Sequence, residues 1–514
     1  MQLLSYLSLT AAVIYAMAVG ALAVYAVHSL WLLWRFLRFR TVAAAQEAAE
    51  LASPLPEDLP HVLVQLPVFN ERDVVVRLLE AVGGLDWPRD RLHLQLLDDS
   101  TDDSVAIGAA ACADLRTRGL DCVQICRTNR TGFKAGALEY GMKQQDAPFI
   151  AIFDADFVPL PDFLRKAIRP LLTDPGLALV QGRWDHLNRT ENALTRAQAL
   201  GIDGHFAVEQ GARAWSGLAM NFNGTCGLWR RAAITAGGGW EHDTLTEDMD
   251  LSYRVQLVGW RCTYRLGLAV PGEIPASVNA WRSQQFRWAK GSLQTAMKLL
   301  PRVWGSRWNV VEKLAATLHM THYLVHPLIL VSLLMAPLAL VATAGVPTWI
   351  MMLGLVCFLV GAVAPPITYV TAQLVLHGWA GAKRMGMLPA LAAFGTGIAV
   401  SNTRAAWQAL TGKQSAFVRT PKAGASGATG SYKARGASGI PELICSLWAG
   451  LALVVGFEFH PWWVSPLLFI YCSGFLWMAV QTMRERRGSR PGVPWLRLQL
   501  FNWRREQPVA ASDA

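Results

Sequence analysis

Apolar and polar positions divide the chain into three regimes. In the first, no charge appears before Arg35. Met1 to Trp34 is apolar or neutral, and about 20 such residues span a bilayer. The run ends in a basic aromatic cuff, Trp34-Arg35-Phe36-Leu37-Arg38-Phe39-Arg40, and lacks the basic front and cleavage site of a signal peptide. In the second regime, from about residue 60, short apolar runs alternate with helix-period stretches. His61–Leu66, Leu92–Leu97, Asp121–Ile125 and Phe149–Phe153 predict strands. Helices are predicted over 71–84, over 104–118 and from about Lys134. Such alternation predicts a parallel sheet of the nucleotide-binding type, with ligands at the carboxyl ends of its strands. In the third regime, no acid, Lys or Arg occurs between Lys313 and Lys383. Two spans are expected there, hinged at Gly345-Val346-Pro347, the second kinked at Pro365-Pro366. Two more are expected near 443–457 and 459–483, joined at His460-Pro461.

Charge placement orients these segments. By the positive-inside rule the cuff is cytoplasmic, and so are residues 41 to about 310. The chain returns to the cytoplasm at Lys383-Arg384. Hydropathy alone accepts 387–410 as a span. Crossing there would put Lys413, Arg419, Lys422, Lys433, Arg435 and the basic tail from Arg484 outside. An interfacial or re-entrant helix keeps them inside. The expected layout is a transmembrane helix at 1–40, a cytoplasmic domain at 41–282 and an interfacial amphipathic region at 283–312. Two spans follow at 313–384, an interfacial helix and loop at 385–440, two spans at 441–484 and a cytoplasmic tail at 485–514. The Gly/Ser-rich run Gly424 to Gly439 reads as a cytoplasmic loop.

Composition agrees. Charged residues make up 16% of the chain, against about 25% in an ordinary soluble domain. Mean hydropathy is +0.26, which excludes disorder. The net charge of +10 suits an anionic membrane surface and is too dilute for nucleic acid. The eight cysteines form no CxxC pair, and the Cys122–Cys126 spacing fits no zinc site, so they read as reduced, mostly buried thiols.

Acids stand at two predicted strand ends: Asp98-Asp99-Ser100 after Leu92–Leu97, and Asp154-Ala155-Asp156 after Phe149–Phe153. Two aspartates at i and i+2 suit one hard divalent cation shared with diphosphate oxygens. A lone DxD is more often a solvated turn; the preceding strand and the neighbouring acid cluster favour the cation. A third cluster, Thr246-Glu247-Asp248-Met249-Asp250, opens a predicted helix at 248–258 and doubles as a capping box with Thr246 as cap. Gln284-Gln285-Phe286-Arg287-Trp288 fits an amphipathic helix on a membrane surface.

In order, these motifs resemble those of inverting family 2 glycosyltransferases of the membrane polysaccharide synthase group. Pro67-Val68-Phe69-Asn70-Glu71, Lys134-Ala135-Gly136 and the Q-x-x-R-W set complete the series. Leu85 to Pro88, Val180 to Trp184 and Phe222 to Trp229 resemble the cellulose-synthase-like mannan and glucomannan synthases. The likeness covers roughly 60–300. It implies a GT-A-type α/β domain, binding a nucleotide sugar, inserted between about five transmembrane helices plus interfacial helices. It further implies that Phe69, Glu71, Asp98, Asp99, Lys134 and Asp154 bind the nucleotide, and that Asp154 and Asp156 hold Mg²⁺ or Mn²⁺. Asp248 is then the general base, Arg287 supports the leaving diphosphate, and Gln284 and Trp288 hold the acceptor end. Asn223, Gly224, Thr225 and Glu247 complete the acceptor side. Phe417, Arg419, Thr420 and Lys422 resemble a gating loop; a juxtamembrane loop touching lipid phosphates is the alternative.

The activity implied is processive polymerisation of hexose from GDP-mannose or UDP-glucose into a β-linked polysaccharide. The setting is an inner (plasma) membrane, with lipids, the growing glycan and an export partner as associates, and no nucleic acid. Single transfer to ceramide or diacylglycerol is one alternative; a transporter with a soluble regulatory domain is another. His319, His322 and His326 share one helix face and read as packing or pore lining ahead of a metal site.

Overall fold

The computed structural model describes residues 2–341, 348–413, 438–459 and 465–486. The hinge at 345–347, the joint at 460–461, the proposed gating residues 417–422 and the tail beyond 486 lie outside them. The first expected strands all form: β1 (Val62–Val68), β2 (Leu92–Asp98), β3 (Asp121–Cys126) and β4 (Phe149–Ile152), with α2 (Val75–Gly83), α3 (Ser104–Thr117) and α4 (Phe133–Met142) between them. They are parallel, in the order β3-β2-β1-β4. Apolar side chains fill both faces. Leu66, Leu78, Leu96 and Ile168 lie in one core layer; Leu63, Leu138, Ile150 and Trp229 lie in the other.

The far half of the sheet is a departure from the all-parallel expectation. β5 (Leu177–His186), β6 (Gly227–Arg230) and β7 (Arg261–Gly272) extend it to seven strands, with β6 antiparallel to both β4 and β5 and β7 parallel to β5. The insert between β5 and β6 carries α5's successor α6 (Ala193–Gly204), a π-helical turn at His205–Gln210 and α7 (Gly211–Trp215), where α5 is Phe163–Thr173. After β6 come α8 (Arg231–Ala236) and α9 (Glu247–Leu257).

α1 (Gln2–Ala52) runs well past residue 40. Its polar end is fastened to the sheet: the Arg265 guanidinium forks onto Glu50 at 2.7 Å. Beyond β7, α10 (Val278–Gly305) carries the Q-x-x-R-W residues, followed by α11 (Val310–Met320), α12 (Val325–Val341), α13 (Thr348–His377), α14 (Leu388–Gly397), α15 (Ala399–Leu410), α16 (Ile440–Phe459) and α17 (Ser465–Arg486). Among the described residues, five stretches are long and apolar enough to cross a membrane: Tyr6–Ala52, His322–Leu340, Met352–Gly397, Ile440–Phe457 and Pro466–Arg486. The segment 387–410 is two helices broken at Ile398. α14 meets α17 so closely that a Cβ on Gly397 would lie 2.6 Å from the Gly474 carbonyl; α15 packs on α10 through Leu293, Ala406 and Ala409. α10 is packed into the protein as well: Glu485, at the end of α17, accepts from the backbone N–H groups of Val278 (2.7 Å) and Asn279 (2.9 Å).

Candidate active site

Parallel pairing puts the ends of β1, β2 and β4 side by side, with Val68 opposite Asp98. Above these ends is a cleft of about 150 Å³. Phe69, Glu71, Asp99, Lys134, Asp154, Asp156, Asn223, Gly224, Glu247, Asp248, Gln284, Arg287 and Trp288 all line it. Residues far apart in sequence therefore share one wall.

Two expected residues lie behind the cleft. Asp98 is buried, accepting from the Ser100 amide (2.9 Å) and from Gln124 Nε2 (2.8 Å), so its carboxylate shapes the loop that carries Asp99. Thr225 is also buried; its Oγ1 accepts from the Asp154 amide at 2.9 Å and so aims the Asp154 loop. Asp99 is held by a partner absent from the sequence reading. Arg127 grips both its oxygens, at 2.9 and 2.5 Å. Arg130, also unforeseen, places its guanidinium 3.3 Å from the centre of the Phe69 ring. The register contains the signal: Asp98 pairs with Cys126, so Arg127 must stand beside Asp99.

Lys134 reaches across the cleft, donating to Asp154 Oδ1 (2.5 Å) and to the Gly224 carbonyl (2.8 Å). Asp154, Glu247 and Asp248 hold its ammonium pKa above the ordinary lysine value despite burial. Six carboxylates (Glu71, Asp99, Asp154, Asp156, Glu247, Asp248) face three cations (Arg130, Lys134, Arg287) along the lining. An anionic diphosphate entering such a surplus of negative charge requires an added cation, and hard carboxylate donors suit Mg²⁺ or Mn²⁺.

Asp248 sits in the first turn of α9. The expected Thr246 cap does not form; Thr246 Oγ1 bonds Thr295 Oγ1 on α10 instead (3.1 Å). α10 approaches this loop closely because residue 291 is glycine: a Cβ there would lie 2.6 Å from Thr246 Cγ2. The Met249 amide donates to Asp248 Oδ1 (2.8 Å). Oδ2 faces Gly224, whose φ of +82° and missing Cβ leave that space open. Burial, then the Glu247 charge, push the Asp248 carboxyl up to about 7.

The trio Glu241, Asp243 and Asp250 is close enough to suggest a metal site. Lys298 already fills it, its ammonium lying 2.5, 2.7 and 2.9 Å from the three carboxylates. This cluster pins α9 to α10.

A second cavity, of about 490 Å³, opens from the cleft. The two share Trp184, Asn223, Thr246, Asp248 and Trp288. The second then runs between α1, α12, α13 and α14, past Ser29, His322, His326, Thr368, Tyr369 and Phe394. Tyr253 and His319 Nδ1 are hydrogen-bonded (2.7 Å), and His322 Nδ1 bonds the His319 carbonyl (2.8 Å). The three histidines thus line the cavity with ring nitrogens committed to the protein at 319 and 322. Behind its wall, Asp203 of α6 is fully buried. It accepts from Arg189 (2.6 Å), His186 (3.2 Å) and, from α13, Gln373 (2.6 Å).

Residues 60–291 match the family described as "Glycosyltransferase like family 2". These residues form a family 2 glycosyltransferase domain. The mixed α/β sheet of this glycosyltransferase domain is the GT-A-like arrangement, flanked by the five apolar helices. The chain is 44% identical over 250 residues to glucomannan 4-beta-mannosyltransferase 2 of Arabidopsis thaliana, covering 48% of this chain and 47% of that protein. It is 42% identical over 262 residues to glucomannan 4-beta-mannosyltransferase 1 of Oryza sativa subsp. japonica, covering 49% and 50%. The chain therefore spans about half the length of the curated relatives it matches. Among solved structures, mannosyltransferase PcManGT from Pyrobaculum calidifontis, in complex with GDP-Man and Mn²⁺, is 20% identical at a TM-score of 0.46, covering 76% of this chain and 100% of that chain.

Proposed function

We propose that this protein is a processive inverting β-glycosyltransferase that polymerises hexose from a nucleotide sugar at a membrane. GDP-mannose is the first-choice donor, in line with the glucomannan mannosyltransferase relatives; UDP-glucose is the second. The observation carrying this reading is the cavity that leaves the cleft at Asp248 and Trp288 and continues between the apolar helices, a path of the right kind for a growing chain.

The donor lies over the strand ends, its base against Phe69 and Arg130 and its diphosphate toward Lys134 and Arg287. Asp154 and Asp156 would hold Mg²⁺ or Mn²⁺, which supplies charge neutralisation for the leaving diphosphate. Asp248 Oδ2 takes the proton from an acceptor hydroxyl, whose oxygen attacks the anomeric carbon opposite the leaving group. The configuration inverts, so an α-linked donor yields a β-linked product. Lys134 and Arg287 stabilise the charge that accumulates on the diphosphate. Gln284, Trp288, Asn223 and Glu247 hold the acceptor end. The domain layout read from the sequence, with residues 41–282 cytoplasmic, belongs to the same proposal, as does a gating role for residues 417–422.

The test is to incubate the purified full-length protein with labelled GDP- or UDP-sugars and Mg²⁺ or Mn²⁺, then size the product. A long polymer sensitive to β-mannanase or β-glucanase is expected. A one-sugar lipid would replace this reading with a lipid glycosyltransferase. Absence of nucleotide release with every donor would favour a transporter.

A further inference from the structure

We propose that Glu209 and His205, presented by the π-helical turn at His205–Gln210, form the subsite that grips the second sugar ring of the acceptor glycan. This rests on the polymerase reading. Both side chains line the larger cavity. They keep 35% and 33% of their side-chain surface accessible. A carboxylate and an imidazole that are accessible there can exchange their water for the hydroxyls of a polar ligand.

Hydrogen bonding defines what these groups offer. Gln210 Nε2 donates to Asn223 Oδ1 (2.5 Å), which turns the Asn223 amide nitrogen toward His205 Nε2 (3.3 Å). His205 therefore accepts at Nε2 and donates from Nδ1 to Glu209 Oε2 (2.8 Å). Among the described residues, no hydrogen bond is made to Glu209 Oε1, which is left to accept a hydroxyl proton. Asn223 also lines the catalytic cleft, and its neighbour Gly224 faces Asp248. The pair is thus one residue and one hydrogen bond from the reaction centre, beyond the ring that presents the attacking hydroxyl.

Trp184 and Trp288, at the junction of the cavities, supply flat faces for ring C–H groups; their ring centres are 6.3 Å apart. Glu209, His205, Asn221 and Ser292 set polar groups among the aromatic faces of this cavity, and that mixture suits sugar rings, which carry hydroxyls at the edge and C–H groups on the face. A π-turn within an otherwise α-helical run is itself a common mark of a functional site.

The experiment compares full-length wild type with Glu209→Gln and His205→Gln. Intrinsic tryptophan fluorescence reports binding of mannose, β-1,4-mannotetraose and GDP. For the tetrasaccharide, both variants are expected to raise Kd about tenfold or more, the loss typical of a hydrogen bond to a charged group. Mannose and GDP affinities stay within twofold, the latter reporting an intact fold. Equal tetrasaccharide binding by wild type and both variants overturns the subsite. So does an equal loss for mannose and tetrasaccharide, which would place the pair at the first ring. Wild-type protein that binds GDP but neither mannotetraose nor cellotetraose overturns the polymerase reading itself.

Discussion

Replacing Asp248 by Asn removes one proton-accepting oxygen and almost nothing else. The Asn carbonyl can still accept from the Met249 amide, now made to Asp248 Oδ1 at 2.8 Å. The new amide nitrogen falls where Oδ2 faces the open space at Gly224. A positioned base contributes about 10²–10⁴-fold, so kcat is expected to fall by that factor, about 3–5 kcal/mol of barrier. Affinity for the nucleotide should hold or improve, because a negative charge beside the diphosphate is gone. The pH profile gives an independent check. The wild-type carboxyl is pushed up to about 7 and acts only when ionised. Activity should therefore rise with pH through about 7 and drop to about a tenth of its plateau at pH 6. The Asn variant should lose that acid limb. Initial rates of nucleotide release across pH 5.5–9, with an oligosaccharide acceptor present, measure both effects. An Asn variant retaining about a third or more of the rate, with the same acid limb, would refute the base assignment.

Other outcomes follow from neighbouring contacts. Gly224→Ala should cut kcat on the order of tenfold or more while the protein still folds: the new methyl lies 3.0 Å from Asp248 Oδ2 at a φ of +82°, and small misplacements near a reacting atom are expensive; steady-state rates with a thermal melt decide it. Lys298→Ala should lower the melting midpoint, a cost of about 3 kcal/mol for opening a part-buried ion cluster. Millimolar Mg²⁺ or Ca²⁺ should restore it only in that variant, because Glu241, Asp243 and Asp250 are then free to share a cation. Arg265→Ala should detach the polar end of α1 from the sheet at about 3 kcal/mol; faster limited proteolysis around residues 47–58 reports it.

Much of the catalytic half was legible because its signals are local. Strands β1 to β4 are short apolar runs, and acids written directly after β2 and β4 must emerge at one edge of a parallel sheet. The other half obeys longer-range constraints. β6 lies between β4 and β5 only because the chain reverses through α6 and α7, and no periodicity announces that reversal. Thr246 followed by acids has the local look of a cap, yet Thr295, 49 residues on, takes its hydroxyl. Asp98 and Asp99 look equivalent in sequence; Gln124 and Arg127, both contributed by the next strand and its end, give them different tasks. The end of α1 was hidden for the same reason, since Glu50 is explained by Arg265, 215 positions away.

Asp203 has a mechanical consequence. Its single carboxylate is shared by Arg189, His186 and Gln373. Sliding α13 along its axis would take one buried donor, Gln373, from that carboxylate and leave it to Arg189 and His186, a cost that ties α13 to the end of α6, immediately before His205. One buried carboxylate thus couples two helices that border the larger cavity, so a shift of α13 would be felt at the turn that carries His205.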